Sequence, residues 1–389
     1  MDDVVFKLLL LLGREHVSED QEKYARGLLV QLKDWDRFMS LAHAKMVSGF
    51  VYQNLERIGG VNPDILERWR QLYRGVALNA LRVRAEMQAF QQTCIVPTAA
   101  RFVFFKGPAL AETYYASPSL RPSRDLDVLI PDEDFEAVFR AALEQGYRVA
   151  VTEETRPERP DEETCQALLK YSSVVNFLSP RGVHVEMHRH LDKHTKLFPT
   201  EDLVTSAEDL VLAGTTYKVL PLDMLLCYVC FHNSRHVWSH LHWLSDLDAI
   251  VRNPDFDRGR AMEVARRKGL DQLVEACLEM HALVAAPWTW TEDQKQTPGG
   301  KLLSLCEMNL AGGLEVEEEI RTGLGWRSVP YKEFLSPKMQ RRLRRRQAIH
   351  RFHPTIREYL EWPLPERWHF MYYFTRLIWR VRLHVLKTA

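Results

Sequence analysis

A chain of 389 residues with 46% hydrophobic and 27% charged side chains has material for more than one core, which excludes a disulfide- or zinc-stapled miniature and a wholly disordered chain. Its 52 basic and 52 acidic residues cancel, so no global field draws it to nucleic acid or an anionic membrane, and any polyanion site must come from local clustering. Six cysteines without regular spacing imply free thiols; no apolar run approaches a membrane span, and Leu8–Leu12 is too short and wrongly flanked for a signal, so the expected address is the cytosol.

In chain order, Leu28, Leu29, Leu32, Trp35, Phe38, Met39 and Leu41 recur at three-to-four spacing, which predicts a helical cap over residues 1–95. Residues 96–200 turn β-like, with runs Phe102–Phe105, Leu126–Ile130, Tyr147–Val151, Val174–Leu178 and Val183–Met187 bounded mostly by Gly107-Pro108, Pro131-Asp132, Gly146 and Pro180–Gly182. Helices are predicted between them at Pro108–Tyr115 and Asp132–Glu144, the second from its Asp-x-x-Phe-x-x-x-Phe spacing behind an acidic first turn. The acidic stretch Glu153–Glu163 reads as an exposed excursion. Helical texture returns from Asp202 to about Met280 and from Pro298 onward, giving a helical region over 201–389.

The sharpest chemical feature is Asp125-Leu126-Asp127-Val128-Leu129-Ile130. On a strand, alternate residues share a face, so Asp125 and Asp127 project together. At about 4 Å two such charges repel by roughly 4 kcal/mol at an effective dielectric near 20, so the pair needs solvent, a proton or a cation. Val183-His184-Val185-Glu186-Met187-His188 repeats the pattern, with His184, Glu186 and His188 on one face. If the two strands are neighbours, Asp125, Asp127 and Glu186 converge as hard oxygen ligands for Mg²⁺. The alternative is two edge strands with solvated acidic faces. Lys106 and Gly107 precede a helix start, where backbone N–H groups favour phosphate, and Arg121 and Arg124 precede Asp125.

The run Lys106-Gly107-x-Ala109-Leu110-Ala111, with Arg121-x-x-Arg124-Asp125-Leu126-Asp127 and Val185-Glu186-Met187-His188, resembles bacterial nucleotidyltransferase-family proteins of the DNA polymerase beta superfamily. The likeness extends to Asp34-Trp35-Asp36 and Tyr52-x-Asn54-Leu55 before the core, and to His232-x-x-x-His236-x-Trp238 with Trp243-Leu244-x-Asp246 after it. It implies an α+β fold in which a small mixed nucleotidyltransferase palm sheet is flanked by N-terminal and C-terminal helical regions. It further implies Asp125, Asp127 and Glu186 as catalytic residues and ligands of Mg²⁺, with Mn²⁺ as the alternative ion, and a nucleoside triphosphate as substrate. Lys106, Gly107, Arg121, Arg124, His188, His232 and His236 would contact the nucleotide. Two departures stand out: Gly107-Pro108 replaces the superfamily's Gly-Ser or Gly-Gly, and Arg189 stands where the family carries Trp.

Cys227-x-x-Cys230-x-His232-x-x-x-His236 has zinc-like spacing, but Leu225, Leu226, Val229 and Phe231 favour a buried helix. His232 and His236 are expected to approach the active site or to hydrogen-bond Asp246 or Asp248. Lys338–Arg346 is basic enough for a weak nucleic-acid contact, but the favoured reading is a solvated helix balanced by Glu315–Glu319. Phe370, Phe374, Leu377, Val381 and Val385 form a last helical stripe, read as docking on the protein's own body. The expected activity is transfer of a nucleoside monophosphate to an acceptor hydroxyl; the acceptor is open among small molecule, peptide, glycan, protein and RNA. The alternatives are a catalytically silent binding protein of the same fold and an RNA-modifying or toxin-like transferase.

Overall fold

The computed structural model describes residues 3–150, 157–192, 196–311 and 330–376. The chain divides into two compact units assembled from alternating stretches. A helical unit comprises Met1–Arg84, Lys106–Arg124 and Leu220–Pro337, and a sheet unit comprises Ala85–Phe105, Asp125–Val219 and Lys338–Ala389.

Among the described residues the sheet unit has seven strands: β1 Val103–Phe104, β2 Asp125–Leu129, β3 Arg148–Ala150, β4 Val174–Leu178, β5 His184–His188, β6 Glu208–Leu212 and β7 Thr215–Val219. They lie in the order β3-β4-β5-β2-β1-β7-β6. β2 runs parallel to β5 and β1 parallel to β7, while the other neighbours are antiparallel, so the sheet is mixed. β2 is central. Leu126, Val128 and Leu129 are buried along it, and the helix Asp132–Glu144 contributes Phe135, Val138, Phe139, Ala142 and Leu143 to the core, with the Phe139 ring 5.7 Å from that of Phe177.

The helical reading from Asp202 is corrected by β6 and β7. After a short helix, Thr200–Thr205, the chain makes a hairpin through Ala213 and Gly214, both at positive φ (48° and 80°). Two consecutive left-handed residues are what a tight two-residue hairpin demands, and β-branched Thr215, Thr216 and Val219 favour the strand that follows. The Glu153–Glu163 excursion is corrected in part: Asp161 caps a helix at Glu162–Tyr171, accepting from the Thr164 N–H, and Glu158 bridges to Val149. Residues 153–156 of that stretch, the run Glu315–Glu319 and the stripe positions Leu377, Val381 and Val385 lie outside the described residues.

In the helical unit, the apolar run Leu8–Leu12 is buried in the helix Asp3–Leu12, together with Val5 and Phe6. Arg14 follows it and is itself buried, donating to the Leu10 and Val284 carbonyls and lying 3.5 Å from Asp248. Asp248 also contacts Arg252 at 3.1 Å and His281 at 2.8 Å. Burial alone would raise the Asp248 carboxyl, but hydrogen bonding from His281 and the charges of Arg14 and Arg252 hold it well below the usual carboxylate range. A depressed folded-state pKa gives stability that is fully present above the unfolded value, about 3.9, and is lost as pH falls below it. Urea midpoints measured from pH 6 to pH 2.5 are expected to fall steeply in the wild type and less steeply in Asp248→Asn; equal slopes would refute this assignment.

Candidate functional site

The sheet unit brings three of the expected residues together. In the β2–β5 register Asp127 stands directly opposite Glu186, and Asp125 opposite His184. In the β4–β5 register Asn176 stands opposite Glu186. Directly paired residues share a sheet face, so Asp127, Glu186 and Asn176 form one row across three strands. His188 lies one pleat period beyond Glu186 on that face. Its Nε2 is 3.2 Å from both Asp127 Oδ1 and Glu186 Oε2. The ring nitrogen is not aligned as a hydrogen-bond donor to either oxygen, so these are ion-pair contacts between a proton-bearing ring and two carboxylates. Burial opposes charge on the imidazole, yet Asp127 and Glu186 outweigh it and raise its pKa to about 9. Phe105 meets the ring edge-on at 5.2 Å and fixes its plane.

Ligand atoms of Asp127, Glu186 and His188 all lie within 4.8 Å of one another, the one such group of three or more among the described residues. Asp125 is outside that set, although it shares the Asp127 face. Asp127 is 4% exposed on a central strand, against the alternative of edge strands with solvated acidic faces: alternation identifies its face but not what covers it. Glu186 keeps 37% of its side chain exposed. Sequence reasoning placed His188 on the nucleotide and overlooked Asn176, whose buried Oδ1 has no hydrogen-bond partner among the described residues. The available signals were the His184–Glu186–His188 alternation and the polar residue between Val175 and Phe177. Arg189 is turned into the body, donating to Asp132 at 2.7 Å and to the Leu169 carbonyl, with its guanidinium 3.8 Å over Phe135.

The other expected contacts, Lys106, Gly107, Arg121, Arg124, His232 and His236, belong to the helical unit. Gly107 opens the helix Gly107–Tyr114 at φ 54°, a conformation that glycine adopts without Cβ strain. Pro108 removes one N–H from that helix start. Lys106 Nζ contacts His232 Nε2 at 3.3 Å and sits 5.4 Å over the Tyr228 ring, and Tyr228 hydroxyl contacts His232 Nδ1 at 3.3 Å. The His232 and His236 rings lie 4.8 Å apart, and both meet the Trp243 edge.

Asp246 and Asp248 are not the braces for these histidines. Asp246 accepts from Arg121 Nε at 2.7 Å and Nη2 at 2.9 Å and from the Tyr115 hydroxyl at 2.8 Å. Arg121 Nη1 points to the Gly107 and Pro122 carbonyls and Ser123 Oγ. Arg121 is 4% exposed, and these bonds tie the Gly107 turn to the helix His242–Arg252.

All six cysteines are buried free thiols. Burial pushes Cys227 up to about 12 and raises Cys230 well above the ordinary thiol value, against thiolate zinc ligands. On the helix Pro337–Phe352, Lys338, Arg341, Arg342, Arg344 and Arg345 are exposed while Met339 and Leu343 are buried, a solvated basic face. Among the described residues no helix is long and apolar enough to cross a membrane.

Residues 31–285, about two thirds of the chain, match a protein family described as uncharacterised nucleotidyltransferase. No curated protein and no solved structure matches.

Proposed function

The chain belongs to the uncharacterised nucleotidyltransferase family, and on that premise we propose that it transfers a nucleoside monophosphate from a nucleoside triphosphate to an acceptor hydroxyl, releasing pyrophosphate with the help of a divalent cation. The observation that carries this reading is the convergence of Asp127, Glu186 and His188 ligand atoms within 4.8 Å. The donor set fits such an ion. Two carboxylates and the unpartnered Asn176 oxygen supply hard donors for Mg²⁺, and the imidazole is a donor that later first-row ions accept more readily, which makes Mn²⁺ a good probe. Bound there, the cation supplies electrostatic stabilisation of phosphate oxygens.

The chain's own groups divide the remaining work. Asp127, buried and fixed by the strand pairing, is the rigid ligand. Glu186 combines a place in the same set with access to solvent, so its carboxylate is the group suited to take the acceptor hydroxyl proton. Before an ion enters, protonated His188 offsets the repulsion of the two carboxylates. Asp125 is the proposed additional carboxylate of a two-ion arrangement, and Lys106, Gly107, Arg124, His232 and His236 are proposed to contact the nucleotide. Arg121 acts by positioning.

Purified chain supplied with Mg²⁺ or Mn²⁺, each nucleoside triphosphate and a panel of hydroxyl acceptors is expected to release pyrophosphate. Mn²⁺ binding, followed by electron paramagnetic resonance, is expected to weaken at least tenfold in both Asp127→Asn and Glu186→Gln. Unchanged Mn²⁺ binding in both variants would remove the basis of the proposal. Nucleotide binding without pyrophosphate for any acceptor would instead identify a silent relative. Charge reversal at Arg341, Arg342 and Arg345 tests an RNA acceptor, since only RNA substrates depend on that face.

A further inference from the structure

The helical unit holds a second concentration of chemistry that the ion site does not use. The helix Leu222–Arg235 ends at His236, and Val237 and Trp238 follow at φ 47° and 52°. Two bulky residues in the left-handed region are strained, and such strain persists only where surroundings over-determine it. Here they do. Trp238 is fully buried and donates through Nε1 to Ser234 Oγ; Asn309 donates to the Val237 carbonyl; Lys45 donates to the Asn309 carbonyl. The turn returns the chain so that His240 and His242 join His232 and His236 around one indole, with ring centroids 5.0–6.0 Å from Trp243.

His242 is 6% exposed, and its Nδ1 has no hydrogen-bond partner among the described residues. Its ring lies 5.6 Å from that of His240. After burial, the groups that act most strongly on it are Arg121, His240, Arg124 and Lys106, all cationic or basic. Arg121 is answered by Asp246. With its proton on Nδ1, a buried imidazole beside basic groups can donate to an incoming oxyanion.

We propose that His232, His236, His240 and His242, with Lys106 and Arg124, form a receptor for the linked phosphates of a polyphosphate, in which His242 Nδ1–H and the neighbouring imidazoles donate to phosphate oxygens. The inference deepens the nucleotidyl-transfer reading by assigning the triphosphate to these residues, and rests on it for the identity of the natural ligand. Free inorganic polyphosphate and a nucleotide's triphosphate share the chemistry.

Isothermal titration of the full chain in EDTA with sodium tripolyphosphate is expected to show one site, weakened at least tenfold in His242→Asn and in His236→Gln and retained in Asp127→Asn. Circular dichroism confirms folding of each variant, and His236→Gln serves if His242→Asn fails to fold. Competition by ATP but not by adenosine identifies nucleotide-borne triphosphate as a source; competition by tripolyphosphate alone assigns the site to free polyphosphate. Absence of tripolyphosphate binding, or binding unchanged in every folded histidine variant, would overturn the receptor. Loss of pyrophosphate release in the wild type with tripolyphosphate binding intact would overturn the enzymatic reading and leave the receptor standing.

Discussion

Asp127→Asn is expected to lower the rate of nucleotidyl transfer by about three orders of magnitude or more while the protein stays folded. The magnitude follows from the several kcal/mol that a bound cation contributes to phosphoryl-type transition states, because about 4 kcal/mol corresponds to roughly a thousandfold. The asparagine keeps the shape of a side chain that is 4% exposed between paired strands, so no cavity opens. It removes one of the two charges facing His188, 3.2 Å away, while Glu186 remains at the same distance. A charged contact of this type carries at most about 3 kcal/mol, and the loss leaves one carboxylate for the imidazolium. Asp127→Ala is the poorer test, since the buried site would be both unpaired and underpacked. The check is pyrophosphate release at saturating Mn²⁺ beside a urea midpoint for the same preparation. If Asp127→Asn kept more than a tenth of the wild-type kcat/KM, the buried carboxylate would not be part of the reacting site.

The elements that sequence shows most clearly are those whose signal is local. β4, at Val174–Leu178, and the helix Asp132–Glu144 stand where alternation and the acidic first turn place them, and β2 and β5 differ from the expected runs by one residue at each end. The hairpin Glu208–Val219 is an edge element. Its outer strand leaves Glu208, Asp209 and Val211 exposed, and its turn is Ala213-Gly214 rather than the Asn-Gly or Asp-Gly that announces a hairpin. Only the inner strand alternates, with Tyr217 and Val219 buried beside Thr216 and Lys218, a run too short to stand out. At the site, alternation predicts that Asp125 and Asp127 share a face and that Glu186 and His188 share another. That these are the same face, with Asp127 opposite Glu186, depends on the parallel pairing of strands about sixty residues apart. Arg121 reads in sequence as a phosphate ligand because its neighbours are Arg124 and Asp125; its partner Asp246 is 125 positions away, beyond the reach of any local pattern. A similar separation, 126 positions, lies between Lys106 and His232, so the lysine joins the sequence-local imidazoles only on folding.

Asp246→Ala is expected to destabilise the helical unit by about 3–5 kcal/mol, the cost of leaving a buried ion pair half broken. Arg121 and Asp246 have side chains 5% and 4% exposed, and their contact is bidentate, at 2.7 and 2.9 Å. Removing the carboxylate takes the acceptor from Arg121 Nε and Nη2 and the Tyr115 hydroxyl, three buried donors. Burial already raises the Tyr115 pKa well above the ordinary phenol value, with Asp246 adding to it, so the phenol stays a neutral donor in need of an acceptor. Exchanging the whole cluster is a different matter, since apolar groups of similar volume often replace a buried ion pair without loss. The triple variant Tyr115→Phe, Arg121→Met and Asp246→Leu is therefore expected to regain most of the stability that Asp246→Ala loses. Urea denaturation of the single and triple variants measures this directly. The triple variant also separates the two roles open to Arg121. A positioning residue acts through the Gly107 carbonyl it holds at 3.3 Å, so its replacement in a restored core should change nucleotide affinity by less than tenfold. An affinity loss of a hundredfold in the stable triple variant would show that Arg121 touches phosphate after all.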